Sequence, residues 1–153
     1  MELCLFEPMI AQNAGTLVRL CACFNVPISI IEPASFILGN KGFKRAGMDY
    51  IDKSTIKLYG SFQDYKTNNL NNRIVLLDTK ADEMYYDFIF EKTDCIMVGS
   101  ESTGVPDRIY NESQYKLKIP MCSSTRSLNV AISAAIVLSE ALRQLNYFSI
   151  KTI

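Results

Sequence analysis

The sequence predicts an α/β domain built on a largely parallel sheet. Short apolar runs, each long enough for one buried strand, alternate with segments whose apolar residues recur every three to four positions. About 48% of the 153 residues are hydrophobic, which is enough for a buried core and excludes a disordered chain or a fibrous repeat. No repeat, low-complexity segment or long linker interrupts the alternation. We therefore expect one domain over residues 1–153.

Six segments are predicted to be strands. Residues 74–77 and 95–98 are apolar throughout, which is typical of central strands in a sheet that is covered on both faces. The other four predicted strands are residues 3–6, 28–31, 56–59 and 115–119.

Two longer segments are predicted to be helices. The first covers residues 14–24, with Asn13 as its N-cap and Pro27 just beyond its end. Its buried stripe is formed by Leu17, Leu20, Cys21 and Phe24. The second covers residues 128–145, is rich in alanine and is apolar on most faces until Glu140. Such a helix is expected to be buried in the domain or against a partner chain.

The composition excludes several kinds of chemistry. The absence of histidine removes histidine triads, histidine metal sites and the commonest general base. The five cysteines form no CxxC pair, so we expect free thiols in a reducing cytosol and no metal. No apolar run approaches the ~20 residues of a membrane span, and acidic residues near the start argue against a signal peptide. We therefore expect a cytoplasmic protein with no membrane association.

The charges sum to zero but are unevenly distributed. Residues 33–48 contain Lys41, Lys44 and Arg45 and no acid, and residues 113–139 are likewise basic and free of acids. A strongly cationic binder is excluded, whereas binding of a polyanion by either segment stays open beside the simpler interpretation of solvated faces.

Two polar loops precede or follow predicted strands, where open α/β sheets bind ligands. In the first, Asn13 and Gly15 lie at a helix start that favours an anion such as phosphate, and Arg19 follows. In the second, residues 99–106, the glycines are spaced as in a P-loop, but Val-Pro replaces the Lys-Ser/Thr pair, which excludes an NTPase. Glu101 in this loop is either a helix cap or a carboxylate that orients a ligand.

A third loop covers residues 119–129 and ends in Ser127 and Asn129 at the final helix. Its run of hydroxyl side chains is longer than helix capping requires. Each loop is a weak signal alone, but the three occur in a fixed order.

In order and spacing, these loops resemble the motifs of the SpoU branch of the SPOUT RNA methyltransferases, over residues 1 to about 148. The matching motifs are Asn13-x-Gly15-x-x-x-Arg19, Gly99-x-Glu101-x-x-Gly104-x-Pro106, and Ile119-Pro120-Met121 followed by Ser127-Leu128-Asn129. Residues 30–33, 45–50 and 143–147 resemble the subgroup that methylates the tRNA wobble ribose.

The resemblance implies a C-terminal trefoil knot, over about residues 73–146, that binds S-adenosylmethionine. It also implies a homodimer with the final helix in the interface. The positions that it assigns to the cofactor are Leu77, Gly99, Ser100, Glu101, Ile119, Met121, Ser127 and Leu128.

The implied reaction is methylation of the wobble 2′-hydroxyl, on cytidine or a modified uridine, in the anticodon stem-loop of tRNA, with leucine tRNAs as the subgroup's substrates. Arg19 would stabilise the developing alkoxide or position a phosphate, because a guanidinium is a poor base. Ser127 and Asn129 would orient the ribose or the cofactor, and Glu101 would hold Arg19 or Asn129. The expected RNA contacts are Asn13, Lys41, Lys44, Arg45 and Arg126.

Two alternatives remain open. The same chemistry on ribosomal RNA or on another tRNA position would need the same motifs. A non-catalytic RNA-binding protein of the same fold would not need Arg19, Glu101, Ser127 and Asn129 together.

Overall fold

The computed structural model describes residues 1–50 and 55–148, and within them seven parallel strands form one sheet. The strands are β1 (Glu2–Phe6), β2 (Ile28–Ile31), β3 (Ile56–Tyr59), β4 (Arg73–Leu77), β5 (Glu83–Met84), β6 (Asp94–Val98) and β7 (Tyr115–Lys118). The helices are α1 (Ala11–Phe24), α2 (Lys41–Gly47), α3 (Phe62–Asn68), α4 (Asp107–Glu112) and α5 (Val130–Gln144), with a 3-10 turn at Met48–Tyr50. The predicted parallel-sheet α/β fold is confirmed.

The strand order is β3-β2-β1-β6-β4-β7-β5. Every pairing is parallel, with Leu5 opposite Val98 and Val98 opposite Leu77. The carboxyl ends of β1, β6, β4 and β7 therefore meet at one edge of the sheet. The loops that follow these strands are brought together there.

Both faces of the sheet are covered at its centre, which explains why β1, β4 and β6 are apolar after their first residue. Along β1, Leu3 and Leu5 face the cluster that contains α1 and α5, whereas Cys4 and Phe6 face the cluster that contains α3 and Ile109 of α4. The expectation that β4 and β6 are central strands is confirmed by the strand order.

The helix boundaries differ from those predicted. Helix α1 begins at Ala11 with Ile10 as its N-cap, so the prediction of Asn13 as N-cap is wrong. The backbone N–H groups of Met9 and Ile10, directly before α1, donate to a carboxylate from a distant loop. Helix α5 begins at Val130, two residues later than predicted, because Asn129 is its N-cap and accepts from the backbone N–H of Ala131 at 2.8 Å.

Helices α1 and α2 approach very closely at Gly15. A Cβ atom there would lie 2.5 Å from the carbonyl oxygen of Phe43 and 2.8 Å from Cβ of Ala46. Only glycine permits this contact without a shift of α2, which carries the basic residues 41, 44 and 45. Among the described residues, no helix is long and apolar enough to cross a bilayer.

Candidate active site

A cavity of about 920 Å³ lies at the carboxyl edge of the sheet. Its walls are the loops that follow β4, β6 and β7 and the first turn of α5, and its volume is in the range of small-molecule sites. All eight positions assigned to the cofactor line it, namely Leu77, Gly99, Ser100, Glu101, Ile119, Met121, Ser127 and Leu128. Asn13, Arg126 and Asn129 line it as well.

The loop after β6 is folded back on itself by two backbone hydrogen bonds. Ser100 N–H donates to the Gly104 carbonyl at 3.0 Å, and Gly104 N–H donates to the Ser100 carbonyl at 2.8 Å. A Cβ on Gly99 would lie 2.6 Å from the Gly104 carbonyl carbon, and Gly104 itself has a φ of 67°. Both glycines are therefore needed to bring this loop to the cavity wall.

Glu101 joins this loop to the start of α1. Its Oε2 accepts from the backbone N–H of Met9 at 2.7 Å, and its Oε1 accepts from that of Ile10 at 3.2 Å. Oε1 also accepts from the side-chain amide of Asn13 at 3.1 Å. The anion expected at this helix start is thus the chain's own carboxylate.

Asn13 is also hydrogen-bonded to the third loop. Its Oδ1 accepts from Nδ2 of Asn129 at 3.0 Å, while Oδ1 of Asn129 caps α5. We call these three side chains the Glu101–Asn13–Asn129 relay. Glu101 was expected to hold Arg19 or Asn129. It is connected to Asn129 through Asn13. The expectation that it holds Arg19 is wrong. Asn13, expected to contact RNA, has both polar side-chain atoms engaged within the relay.

Arg19 and the basic residues of α2 lie outside the cavity. Nη1 of Arg19 lies 3.2 Å from Sδ of Met48, and its guanidinium carbon lies 5.5 Å from the centre of the Tyr50 ring. Because Met48 follows α2 directly, this contact brings Arg19 to the same side of the molecule as α2. The exposed residues Arg19, Lys41, Lys44 and Arg45 are called the basic patch below.

Several cavity residues were not identified from the sequence. Asp78, Lys80, Tyr110 and Lys118 all line the cavity. Burial, followed by the negative charges of Asp78 and Asp82, raises the pKa of the Tyr110 hydroxyl. The signal that points to Asp78 and Lys118 is their position at the carboxyl ends of β4 and β7.

S-adenosylmethionine, which the sequence resemblance implies, fits this donor set. Leu77, Ile119 and Met121 supply apolar walls for an adenine ring, and the folded Gly99–Gly104 loop allows backbone to approach a ligand. Asp78 provides a carboxylate for a cationic group. No metal is needed for these contacts.

A parallel sheet with a ligand cavity at its carboxyl edge, closed by three Gly-, Ser- and Asn-containing loops, defines an α/β protein of the cofactor-binding type. The family model described as "SpoU rRNA Methylase family" matches residues 1–139, and the chain belongs to this family. The resemblance inferred from the three motifs is thereby confirmed.

Relatives similar over nearly their whole length carry one name. A "tRNA (cytidine(34)-2′-O)-methyltransferase" of Ancylobacter novellus is 42% identical over 151 residues, covering 97% of this chain and 96% of the relative. A protein of the same name from Beijerinckia indica is 45% identical over 144 residues, covering 93% and 90%. A solved structure described as "Structural insights into the 2-OH methylation of C/U34 on tRNA" superimposes with a TM-score of 0.91 at 33% identity, covering 95% and 96% of the two chains.

Proposed function

We propose that this chain is an S-adenosylmethionine-dependent methyltransferase that acts on the 2′-hydroxyl of the wobble nucleotide of tRNA, in the cytoplasm. The observation that carries the proposal is the convergence of all three motif loops on one cavity. The near full-length likeness to relatives that bear this name supports the choice of tRNA over ribosomal RNA.

The cofactor, when bound, supplies a methyl group on a sulfonium, which is already a strong electrophile. The chain's task is therefore to position the ribose hydroxyl and to stabilise its developing charge. The relay fixes the Asn129 amide against two neighbouring loops, so that Asn129 and the exposed Ser127 can orient the ribose at the cavity mouth. In this role Glu101 and Asn13 are positioning residues.

Arg19 is proposed to stabilise the alkoxide that develops on the ribose. Its guanidinium does not line the cavity of its own chain. We therefore propose a homodimer in which Arg19 of one protomer reaches the cavity of its partner. Around the relay, Met9, Ile10, Leu128 and Ile132 are 40 to 54% exposed, which gives an apolar surface for such an interface.

A mixing experiment tests whether Arg19 acts across the dimer. Arg19→Ala and Ser127→Ala are each expected to be inactive as homodimers. After subunit exchange, about half of the dimers are mixed, and each has one intact site, so activity should return to about a quarter of wild type. No recovery, with exchange verified by mass spectrometry, would contradict a shared site.

The basic patch and Arg126 are proposed to bind the RNA backbone. The slope of log affinity against log salt is negative, and each lost phosphate contact should reduce its magnitude by about 0.7–0.9. Lys41→Gln combined with Lys44→Gln should therefore weaken binding of an anticodon stem-loop and flatten its salt dependence. An unchanged slope would remove α2 from the RNA surface.

We also propose that residues 1–153 form one methyltransferase domain and that about residues 73–146 are threaded as a trefoil knot. The support is the sheet order, in which β7 lies between β4 and β5 although it follows both along the chain. A late strand placed between earlier ones is the order that a threaded chain would leave in the sheet.

The activity is tested by incubating total tRNA, from a strain that lacks the modification, with labelled S-adenosylmethionine and mapping the methylated nucleoside. Label on the wobble ribose, in leucine tRNAs first, is the expected result. Arg19→Ala should lose transfer but retain cofactor binding, whereas Arg108→Ala, an exposed arginine outside both the cavity and the basic patch, should retain both. Label at another tRNA position, or no label on tRNA while ribosomal RNA from the same strain is labelled in a parallel incubation, would overturn the substrate.

A further inference from the structure

Asp78 is a cavity carboxylate whose orientation is fixed. Its backbone N–H donates to the carbonyl of Leu117 at 3.0 Å, which holds the residue at the end of β4. Its Oδ1 accepts from the backbone N–H of Lys80 at 2.8 Å. Its Oδ2 faces the loop after β6, 3.8 Å from the place that a Cβ on Gly104 would occupy.

The other two carboxylates at the cavity are engaged or exposed. Glu101 accepts three hydrogen bonds from the start of α1. Asp107 is exposed and opens α4, where the positive end of the helix dipole offsets its charge. Within residues 1–50 and 55–148, no lysine or arginine nitrogen lies within 4.0 Å of the Asp78 carboxylate. Among the described residues, Asp78 and Asp107 are thus the cavity carboxylates, besides the hydrogen-bonded Glu101, without an ion pair, and Asp78 is the more buried of the two.

The charge of Asp78 is balanced by cations that line the same cavity, namely Lys80, Lys118 and Arg126. Each of these would repel a sulfonium and leave a neutral thioether unaffected. Burial first, and then the negative charges of Asp78 and Asp82, raise the pKa of the Tyr110 hydroxyl, which lines the same cavity. Without Asp78, the local potential would favour the product of methyl transfer over the methyl donor.

We propose that Asp78 makes the cavity prefer the sulfonium-bearing cofactor, S-adenosylmethionine, over its neutral thioether product, S-adenosylhomocysteine. The proposal rests on the cofactor proposed above. It assigns to Asp78 a role in selecting the methyl donor and in favouring release of the spent cofactor, separate from any role in the transfer itself. The two molecules differ by one methyl group and one positive charge, so the charge is the feature that a carboxylate can distinguish.

The test measures equilibrium binding of three ligands by calorimetry to the full chain. The ligands are S-adenosylmethionine, S-adenosylhomocysteine and sinefungin, in which an amine-bearing carbon replaces the sulfonium. Asp78→Asn keeps the oxygen that accepts from Lys80 N–H and removes the charge. It should weaken the two cationic ligands about five- to tenfold, as expected for unit charges several ångströms apart in a partly hydrated site, and change the thioether less than twofold.

Matched variants keep the test interpretable. Asp82→Asn removes a carboxylate that also acts on Tyr110 but does not line the cavity, and should leave all three affinities unchanged. Asp78→Glu retains the charge and should retain the preference for the cationic ligands.

Three results would overturn the inference. Equal weakening of all three ligands by Asp78→Asn would mean that Asp78 binds a group they share, such as the ribose. No weakening would exclude Asp78 from the site. Failure of the wild-type chain to bind any of the three ligands would instead refute the proposed cofactor, on which the inference rests.

Discussion

Replacement of Gly15 by alanine should destabilise the protein, although alanine is the better helix former. In an exposed helix interior the change from glycine to alanine stabilises by about 1 kcal/mol. At Gly15 the new Cβ would lie 2.5 Å from the Phe43 carbonyl oxygen, 0.9 Å short of the 3.4 Å at which ordinary contacts begin. The position of the Cβ is fixed by the backbone of α1 and the oxygen belongs to the backbone of α2, so relief requires α2 to move away from α1.

Overpacking of this kind costs about 1–3 kcal/mol, and a backbone neighbour places Gly15 at the upper end of that range. After the propensity gain is subtracted, the free energy of unfolding should fall by about 1–2 kcal/mol. Gly42, on α2, is the matched control, because its Cβ would meet its nearest neighbours at an ordinary 3.5 Å. Gly42→Ala should therefore be neutral or stabilising by about 0.5 kcal/mol.

The assay is urea unfolding of the wild type and both variants at one protein concentration, since the stability of a dimer depends on concentration. Gly15→Ala should also weaken tRNA binding, because α2 carries the lysines of the basic patch. A Gly15→Ala variant as stable as the wild type would refute the close approach of the two helices.

Three further predictions concern other parts of the chain. Glu101→Gln places an amide donor against the backbone N–H groups of Met9 and Ile10 before α1. It should lower the free energy of unfolding by about 1–3 kcal/mol in urea, with a smaller loss for Glu101→Asp; equal stability would refute the role of this carboxylate at the helix start. Hydrogen bonds from Arg143 and a neighbouring glutamine lower the pKa of Glu140 from 4.5 to about 2, so its contribution to stability is present above pH 4.5 and lost as the pH falls towards 2. Glu140→Gln should flatten that part of the acid-unfolding curve, and an unchanged curve would contradict the pairing. Alkylation of the native protein should modify Cys23 and Cys122 first, as read by mass spectrometry; equal labelling of the buried thiols would contradict the core.

Six strands could be predicted to within one residue. Burial on both faces makes β1, β4 and β6 nearly continuous apolar runs, whereas β3 and β7 are interrupted by lysines. Strand β5 could not be predicted, since two residues at the edge of a sheet carry no pattern. The short helices α2 and α3 were also missed, although each is capped by a polar residue, Asn40 or Ser61. Helices of seven residues contain too few apolar repeats to be recognised.

The start of α1 shows where local reasoning fails. Asn13 has the residue type and position of an N-cap, but its side-chain amide donates to Glu101, 88 positions away in the sequence. The cavity residues were predicted from the family resemblance of the three motifs, whereas the strand pattern indicated only that such loops meet at the carboxyl edge of the sheet. Whether Arg19 faces that cavity depends on the rotation of α1 against α2, which residue spacing does not encode. Asp78 was missed although it follows a predicted strand directly.

The capping of α1 by Glu101 has a consequence for how the protein is made. When the ribosome has released only the first half of the chain, β1 still lacks β6 as a neighbour. The backbone N–H groups just before α1 also lack their acceptor, Glu101. Contacts between residues 92 positions apart form late, and they lower the rate of folding. An apolar strand that lacks a neighbour also promotes association with other chains. The nascent N-terminal half therefore exposes one edge of β1, beside its pairing with β2, until β6 has been made.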